Sequence, residues 1–289
     1  MTHLLCFGLG LSAHTLAPRL ARRGWTISAT SRSKAGFDSI QALGFRALYL
    51  DGDKALPTEV LDGVTHVLVS APPDERGDII LRNHGAALHA LGIKIKWLGY
   101  LSTTGVYGNH GGGLVTEETP LTPNTTRGHY RLLAETQWLD AWHRTGLPVH
   151  VFRLAGIYGP GRNQLISLLD GSAKRVIKEG QIFSRIHAED IASALEASIA
   201  QPRPGRAYNV CDDEPCPPQD VVEFGARLLG LPVPPAIPFD EANLSPMALS
   251  FYADSKRVSN RRIKTELGVK LAYPSYREGL TALAAELKR

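Results

Sequence analysis

Short, unbroken apolar runs alternate along this chain with longer stretches in which apolar residues recur at helical spacing. Leu4, Leu5, Cys6 and Phe7 form the first such run, Gly8 to Ala13 turn the chain, and a helix-like stretch extends to Arg23. Uniformly apolar runs of this length suit strands buried on both faces, and parallel neighbours need the intervening crossover helices. The same pattern places a second strand over Trp25 to Thr30, a helix over Ser39 to Leu43 that Gly44 stops, and a third strand over Phe45 to Leu50. A fourth strand from His66 to Ser70, a helix from Asp78 to Leu91 and a fifth strand from Ile95 to Ser102 follow. Strand and helix in strict alternation predict an α/β fold with a parallel sheet covered on both sides. Regularity fades in the last third, which prolines from Pro202 to Pro238 punctuate, leaving helices near Gln219 to Leu229 and Arg277 to Leu287. Ser255, Lys256 and Arg257, with Arg261 and Arg262, fit a solvated helix start better than an anion site.

The first turn carries candidate chemistry. Gly8, Leu9, Gly10, Leu11, Ser12 and Ala13 have the spacing Gly-x-Gly-x-x-Ala between a strand and a helix. In that setting the first glycine permits a sharp turn and the second lets backbone approach a pyrophosphate. A small third residue packs the helix on the strand, and the helix N-terminus offers free N–H groups to the phosphates. An ordinary strand-to-helix corner would use glycines too, so the next turn matters. The second strand ends in Ser31, Arg32 and Ser33, with no acid before Asp38. A ribose 2′-hydroxyl is usually met by a carboxylate there and a 2′-phosphate by arginine, so NADP(H) is expected rather than NAD. Asp51, after the third strand, fits either an adenine contact or an Asx turn. Ser70, Ala71 and Pro72 follow the fourth strand and suit a wall of the dinucleotide crevice.

Composition narrows the class. The chain has 289 residues, 43% hydrophobic and 21% charged, with a net charge of +4 and three cysteines. These values describe a globular protein with a sizeable core. No run is long enough to span a bilayer and no secretory leader is evident at residues 1–5, so a cytoplasmic location is expected. The cysteines offer neither a disulfide framework nor a metal site. The charge is scattered rather than gathered into a basic stripe, so no nucleic-acid partner is expected.

Further signatures identify a resemblance. Leu101-Ser102-Thr103-Thr104-Gly105-Val106-Tyr107-Gly108 with Glu117, Glu118, Pro120 and Pro123 resembles the extended short-chain dehydrogenases/reductases, the NAD-dependent epimerase/dehydratase group. Arg153 to Gly161, Ile186 to Ala192 and Tyr208-Asn209-Val210 are similar to that group's later signatures. The resemblance implies a Rossmann-type doubly wound core over 1–160. It places the remaining core elements, interleaved with a small substrate-binding part, over 161–289. It also implies a small-molecule substrate, often a nucleotide sugar, and pairing into a homodimer through the helices after the fourth and fifth strands.

One departure bears on catalysis. The group carries Tyr-x-x-x-Lys shortly before Ala-Glu; aligning Ala134 and Glu135 puts Arg127 at the tyrosine position and Arg131 at the lysine position. Guanidinium stays protonated and accepts no hydrogen bond, so Arg127 cannot exchange a proton near neutral pH. Arg131 retains the positive charge that could hold a nicotinamide ribose. Tyr130 lies about 60° around the helix from Arg127 and about 100° from Arg131, so it can share their face as the proton-transfer group or simply pack. Thr103 aligns with the hydroxyl that orients the substrate oxygen. Thr104, Tyr107 and His187 are candidate substrate contacts, and His187 fits a cap for a helix beginning near Glu189 better than a metal ligand, since no second ligand sits at helical spacing. Gly108 to Gly113 are expected to form a mobile loop beside the site. The expected activity is that of an oxidoreductase or an epimerase/dehydratase-like enzyme. A non-catalytic NADP(H) sensor is the alternative, while a methyltransferase fits poorly with Arg32.

Overall fold

The computed structural model describes residues 2–50 and 54–287. The chain divides into two compact units. The first comprises Met1–Thr103, His129–Arg153 and Ala192–Tyr208, and the second Thr104–Gly128, Leu154–Ile191 and Asn209–Arg289.

The first unit opens with β1 (His3–Phe7), α1 (Leu11–Ala21), β2 (Thr26–Ser31), α2 (Lys34–Ala42), β3 (Arg46–Tyr49), β4 (His66–Val69), α3 (Ile79–Ala90) and β5 (Trp97–Thr103). After β6 (Leu114–Val115) come α4 (Thr126–Thr145) and β7 (Val149–Leu154). Strands β8 (Gly156–Tyr158), β9 (Arg175–Ile177) and β10 (Arg185–His187), with α5 (Gln164–Leu169), precede α6 (Ala188–Ala200) and β11 (Ala207–Val210). The chain ends with α7 (Pro218–Leu229), β12 (Ala236–Pro238), α8 (Pro246–Tyr252), β13 (Arg257–Val258), α9 (Arg261–Leu267) and α10 (Tyr276–Leu287).

Seven strands form one sheet in the order β11-β7-β5-β4-β1-β2-β3. The β3–β2, β2–β1, β1–β4 and β4–β5 pairs are parallel. Strand order reverses between β1 and β4, which places the carboxyl ends of these two strands at the topological switch point of a doubly wound sheet. All five residues of β1 are buried, as are all four of β4, because helices cover both faces. Leu5, Phe7, Val67, Val69, Leu98, Tyr100, Trp138 and Val151 contribute to the apolar core.

Helix starts follow their caps. Asp78 Oδ1 accepts from the N–H groups of Ile80 and Leu81, opening α3 where the sequence predicts it. Ser33 caps α2 by accepting from the Gly36 N–H at 3.1 Å, so this helix begins five residues before the expected Ser39.

The second unit is built from short parallel pairs, β8 with β10, β9 with β12 and β6 with β13. Tyr158, Leu165, Val221, Tyr276 and Leu280 form its larger apolar cluster. Here the solvated helix start expected at Ser255 to Arg257 is corrected. Ser255 and Lys256 are buried, and Arg257 and Val258 pair with Leu114 and Val115.

Candidate functional site

The glycine turn leaves β1 at the switch point. Gly8 has φ +92°, which only glycine adopts readily, and a Cβ there would come within 2.8 Å of Ser70 Oγ. Its N–H donates to Thr30 Oγ1 at 2.9 Å, while Ser70 Oγ donates to the Gly8 carbonyl at 3.0 Å. The ends of β1, β2 and β4 are thereby braced together, and Ser70 serves this brace. Gly10 differs. Its φ of −73° and ψ of 179° suit any residue. A Cβ at Gly10 would meet nothing within 4 Å, so nothing in the protein itself demands glycine there. Gly10 is the N-cap of α1 and supplies no side-chain acceptor, leaving the first N–H groups of the helix for a ligand. Leu9 and Leu11 are half-buried, and Ser12 and Ala13 lie under the turn in the core. These features fit a dinucleotide pyrophosphate over Gly10.

Arg32 follows the end of β2, exposed and paired with no carboxylate among the described residues. The Ser31 hydroxyl is engaged within the turn, donating to the Ser33 carbonyl and accepting its N–H. Ala71 is half-buried and Pro72 exposed beyond β4. Asp51 lies outside the described residues.

Thr103, half-buried, is the last residue of β5. Tyr130 and Arg131 stand half-buried on α4. The Tyr130 hydroxyl has no hydrogen-bond partner among the described residues. Arg131 turns inward, its Nη1 donating to the Leu101 carbonyl at 2.6 Å and to the Tyr100 hydroxyl at 3.3 Å. Its other two nitrogens have no hydrogen-bond partner among the described residues. Burial pushes the Tyr100 phenol well above its ordinary range, so it stays a neutral partner.

One turn farther along α4, Glu135 is 1% exposed and meets Arg153, whose Nε donates to Glu135 Oε1 at 3.1 Å. Ser102 Oγ donates to Glu135 Oε2 at 3.0 Å. Sequence reading used Glu135 only to set register and missed this cluster. The available signal was Arg153 standing inside the apolar strand β7, where a charge needs a partner.

In the second unit, several expected ligand contacts hold the scaffold. Tyr107 is fully buried and donates to Asn209 Oδ1 at 2.7 Å, while Glu117 accepts from the Asn209 N–H at 2.9 Å. Those bonds link three of the signatures and engage the Tyr107 hydroxyl within the scaffold. Thr104 is buried at the start of a 3₁₀ turn, and Arg127 is exposed in the first turn of α4. His187 Nδ1 accepts from the Glu189 N–H at 3.2 Å, so it caps α6. Burial lowers its pKa to about 4, keeping the ring neutral.

The Gly108 to Gly113 loop is tied down rather than mobile. Ser255 accepts at its carbonyl from the His110 and Gly112 N–H groups, at 3.1 and 2.9 Å. Asn109 Oδ1 accepts from the Ser255 N–H, and Arg257 donates to the Gly112 carbonyl.

The family model described as NAD dependent epimerase/dehydratase matches residues 8–211, and the chain belongs to that family. Protein YeeZ from Escherichia coli strain K12 is 29% identical over 290 residues, covering 95% of this chain and 97% of that one. A functionally unknown conserved protein from Silicibacter pomeroyi matches at 52% identity and TM-score 0.92 over 100% of both chains. A dTDP-glucose 4,6-dehydratase from Bacillus anthracis, solved in complex with NAD, shares the fold at TM-score 0.76 and 21% identity, over 100% of this chain and 96% of its own.

Proposed function

We propose that the chain is an NADP(H)-binding oxidoreductase or epimerase/dehydratase-like enzyme acting on a small polar substrate, nucleotide sugars among the candidates. The observation that carries the cofactor preference is Arg32, exposed and paired with no carboxylate among the described residues, beyond a turn whose Gly10 leaves room for a pyrophosphate. The nicotinamide supplies hydride transfer when bound. Gly8 to Ala13 hold the pyrophosphate, Arg32 the 2′-phosphate, and Ala71 and Pro72 form a wall. Thr103 orients the substrate oxygen, Tyr130 moves a proton at its phenol oxygen, and Arg131 offers its remaining N–H groups to the nicotinamide ribose. Arg127 adds positive charge without exchanging a proton.

Fluorescence titration with NADPH and NADH tests the preference. Tighter NADPH binding is expected, and equal affinities would sink it. A second reading, a non-catalytic NADP(H) sensor, is favoured by arginines at both positions of the family pair. Tight NADPH binding with no oxidation at 340 nm across aldehydes, ketones and sugar nucleotides would select it.

A further inference from the structure

Two polar contacts, one helical turn apart on α4, land on consecutive residues of β5. Arg131 reaches the Leu101 carbonyl at 2.6 Å and Glu135 accepts from Ser102 Oγ at 3.0 Å, and Thr103 is the next residue of the strand. Glu135 is itself held by Arg153 on β7 through Nε at 3.1 Å and through Nη2. Glu135, Arg153 and Ser102 are 1%, 5% and 5% exposed. Apolar packing also holds α4, with Ala134 and Trp138 fully buried against the core.

Apolar packing is largely non-directional and tolerates small slides and rotations. A forked guanidinium on a carboxylate does not, because its N–H vectors are fixed. A buried ion pair is often no more stabilising than a well-packed apolar pair of equal volume, so stability alone is a weak account of this cluster. Two tethers about 6 Å apart along a helix fix both its height and its rotation, whereas one would leave it free to turn.

We infer that Glu135, clamped by Arg153 and tied to Ser102, is a positioning residue that sets the height and rotation of Tyr130 and Arg131 against Thr103. Its functional consequence rests on the proposed roles of those three residues. A misplacement of about 1 Å is enough to cost large factors in a preorganised site.

Ser102→Ala removes the β5 tether while leaving the Glu135–Arg153 pair intact, which avoids stranding a buried charge. With 3-fluorotyrosine incorporated at position 130, the ¹⁹F resonance is expected to shift or broaden in Ser102→Ala and to return in Ser102→Thr, which restores the hydroxyl. NADPH affinity is expected to weaken about three- to tenfold in Ser102→Ala. Combined with Arg131→Ala, the loss should not multiply. A fluorine resonance at its wild-type position in a folded Ser102→Ala, or losses that multiply in the double variant, would overturn the positioning role. Unchanged NADPH affinity in Arg131→Ala alone would instead sink the proposed ribose contact, and the fluorine measurement, which needs no cofactor, would still decide the inference.

Discussion

Lys256 donates to the Gly108 carbonyl at 2.8 Å and to Asp254 Oδ2 at 2.9 Å, joining the glycine-rich loop after β5 to the segment before β13. The lysine is 7% exposed, and burial lowers its pKa while the Asp254 contact opposes that shift. Lys256→Met should therefore loosen the loop. Faster amide hydrogen exchange at His110, Gly112 and Gly113 is expected, with about 1–3 kcal/mol lost from the unfolding free energy. Wild-type exchange at these amides would show that the Ser255, Asn109 and Arg257 contacts hold the loop without Lys256.

For Arg32 the expected outcome is a change in selectivity. Arg32→Ala should cost NADPH about 1.5–3 kcal/mol of binding, the worth of a charged hydrogen bond to phosphate, and leave NADH nearly unaffected. Parallel titrations of the variant and the wild-type protein measure both. Equal losses for the two cofactors would place Arg32 away from the 2′-phosphate.

The two glycines of the turn should fail differently. Gly8→Val forces a branched residue to φ +92° and toward Ser70 Oγ, so a lower melting temperature is expected. A Cβ at Gly10 meets no protein atom within 4 Å and its backbone angles suit any residue, so Gly10→Val should fold normally and lose NADPH binding. Circular dichroism and titration on both variants separate strain from ligand contact. Retained affinity in a folded Gly10→Val would move the dinucleotide elsewhere.

Tyr130→Phe should lower turnover by about 10²–10⁴ on any substrate found, with NADPH affinity unchanged, because only the phenol hydroxyl is removed. Steady-state rates followed by NADPH oxidation give the comparison. A full rate in Tyr130→Phe would eliminate this residue as the proton-transfer group.

Stability should slope with pH at both ends. Asp212 is 2% exposed, and among the described residues neither carboxylate oxygen has a well-formed hydrogen bond, the Glu214 backbone N–H only partly offsetting its burial. Burial pushes its pKa up to about 8, against the opposing charge of Arg185. The unfolded chain releases this proton near pH 4, so stability falls as pH rises from about 4 to about 8. The buried rings of His66, His150 and His187, each lowered to about 4, act in the opposite sense. Unfolded histidines gain protons near pH 6.5, so stability also falls as pH drops from there toward 4. Asp212→Asn should raise stability at pH 8 by roughly 1–3 kcal/mol and flatten the slope above pH 6.5, where these histidines stay neutral. Calorimetric scans between pH 6.5 and 9 test this, and an Asn variant less stable at pH 8 would show that the carboxylate is better accommodated than its burial implies.

The amino-acid sequence determined the doubly wound sheet, because runs such as Leu4 to Phe7 and His66 to Val69 can be buried on both faces only with helices between parallel strands. It also determined the glycine turn and the arginine after β2, since both are local features whose spacing carries the chemistry. Tertiary structure alone decided which buried charges meet. Glu135 and Arg153 stand 18 residues apart in the chain, and only the packing of α4 over β5 and β7 brings their side chains together. It likewise turned Lys256 from an expected surface residue into a buried tether on a loop 148 residues away. The strand pairs of the second unit are two or three residues long, too short to show a period of two, and their pairing exists only once distant segments lie side by side.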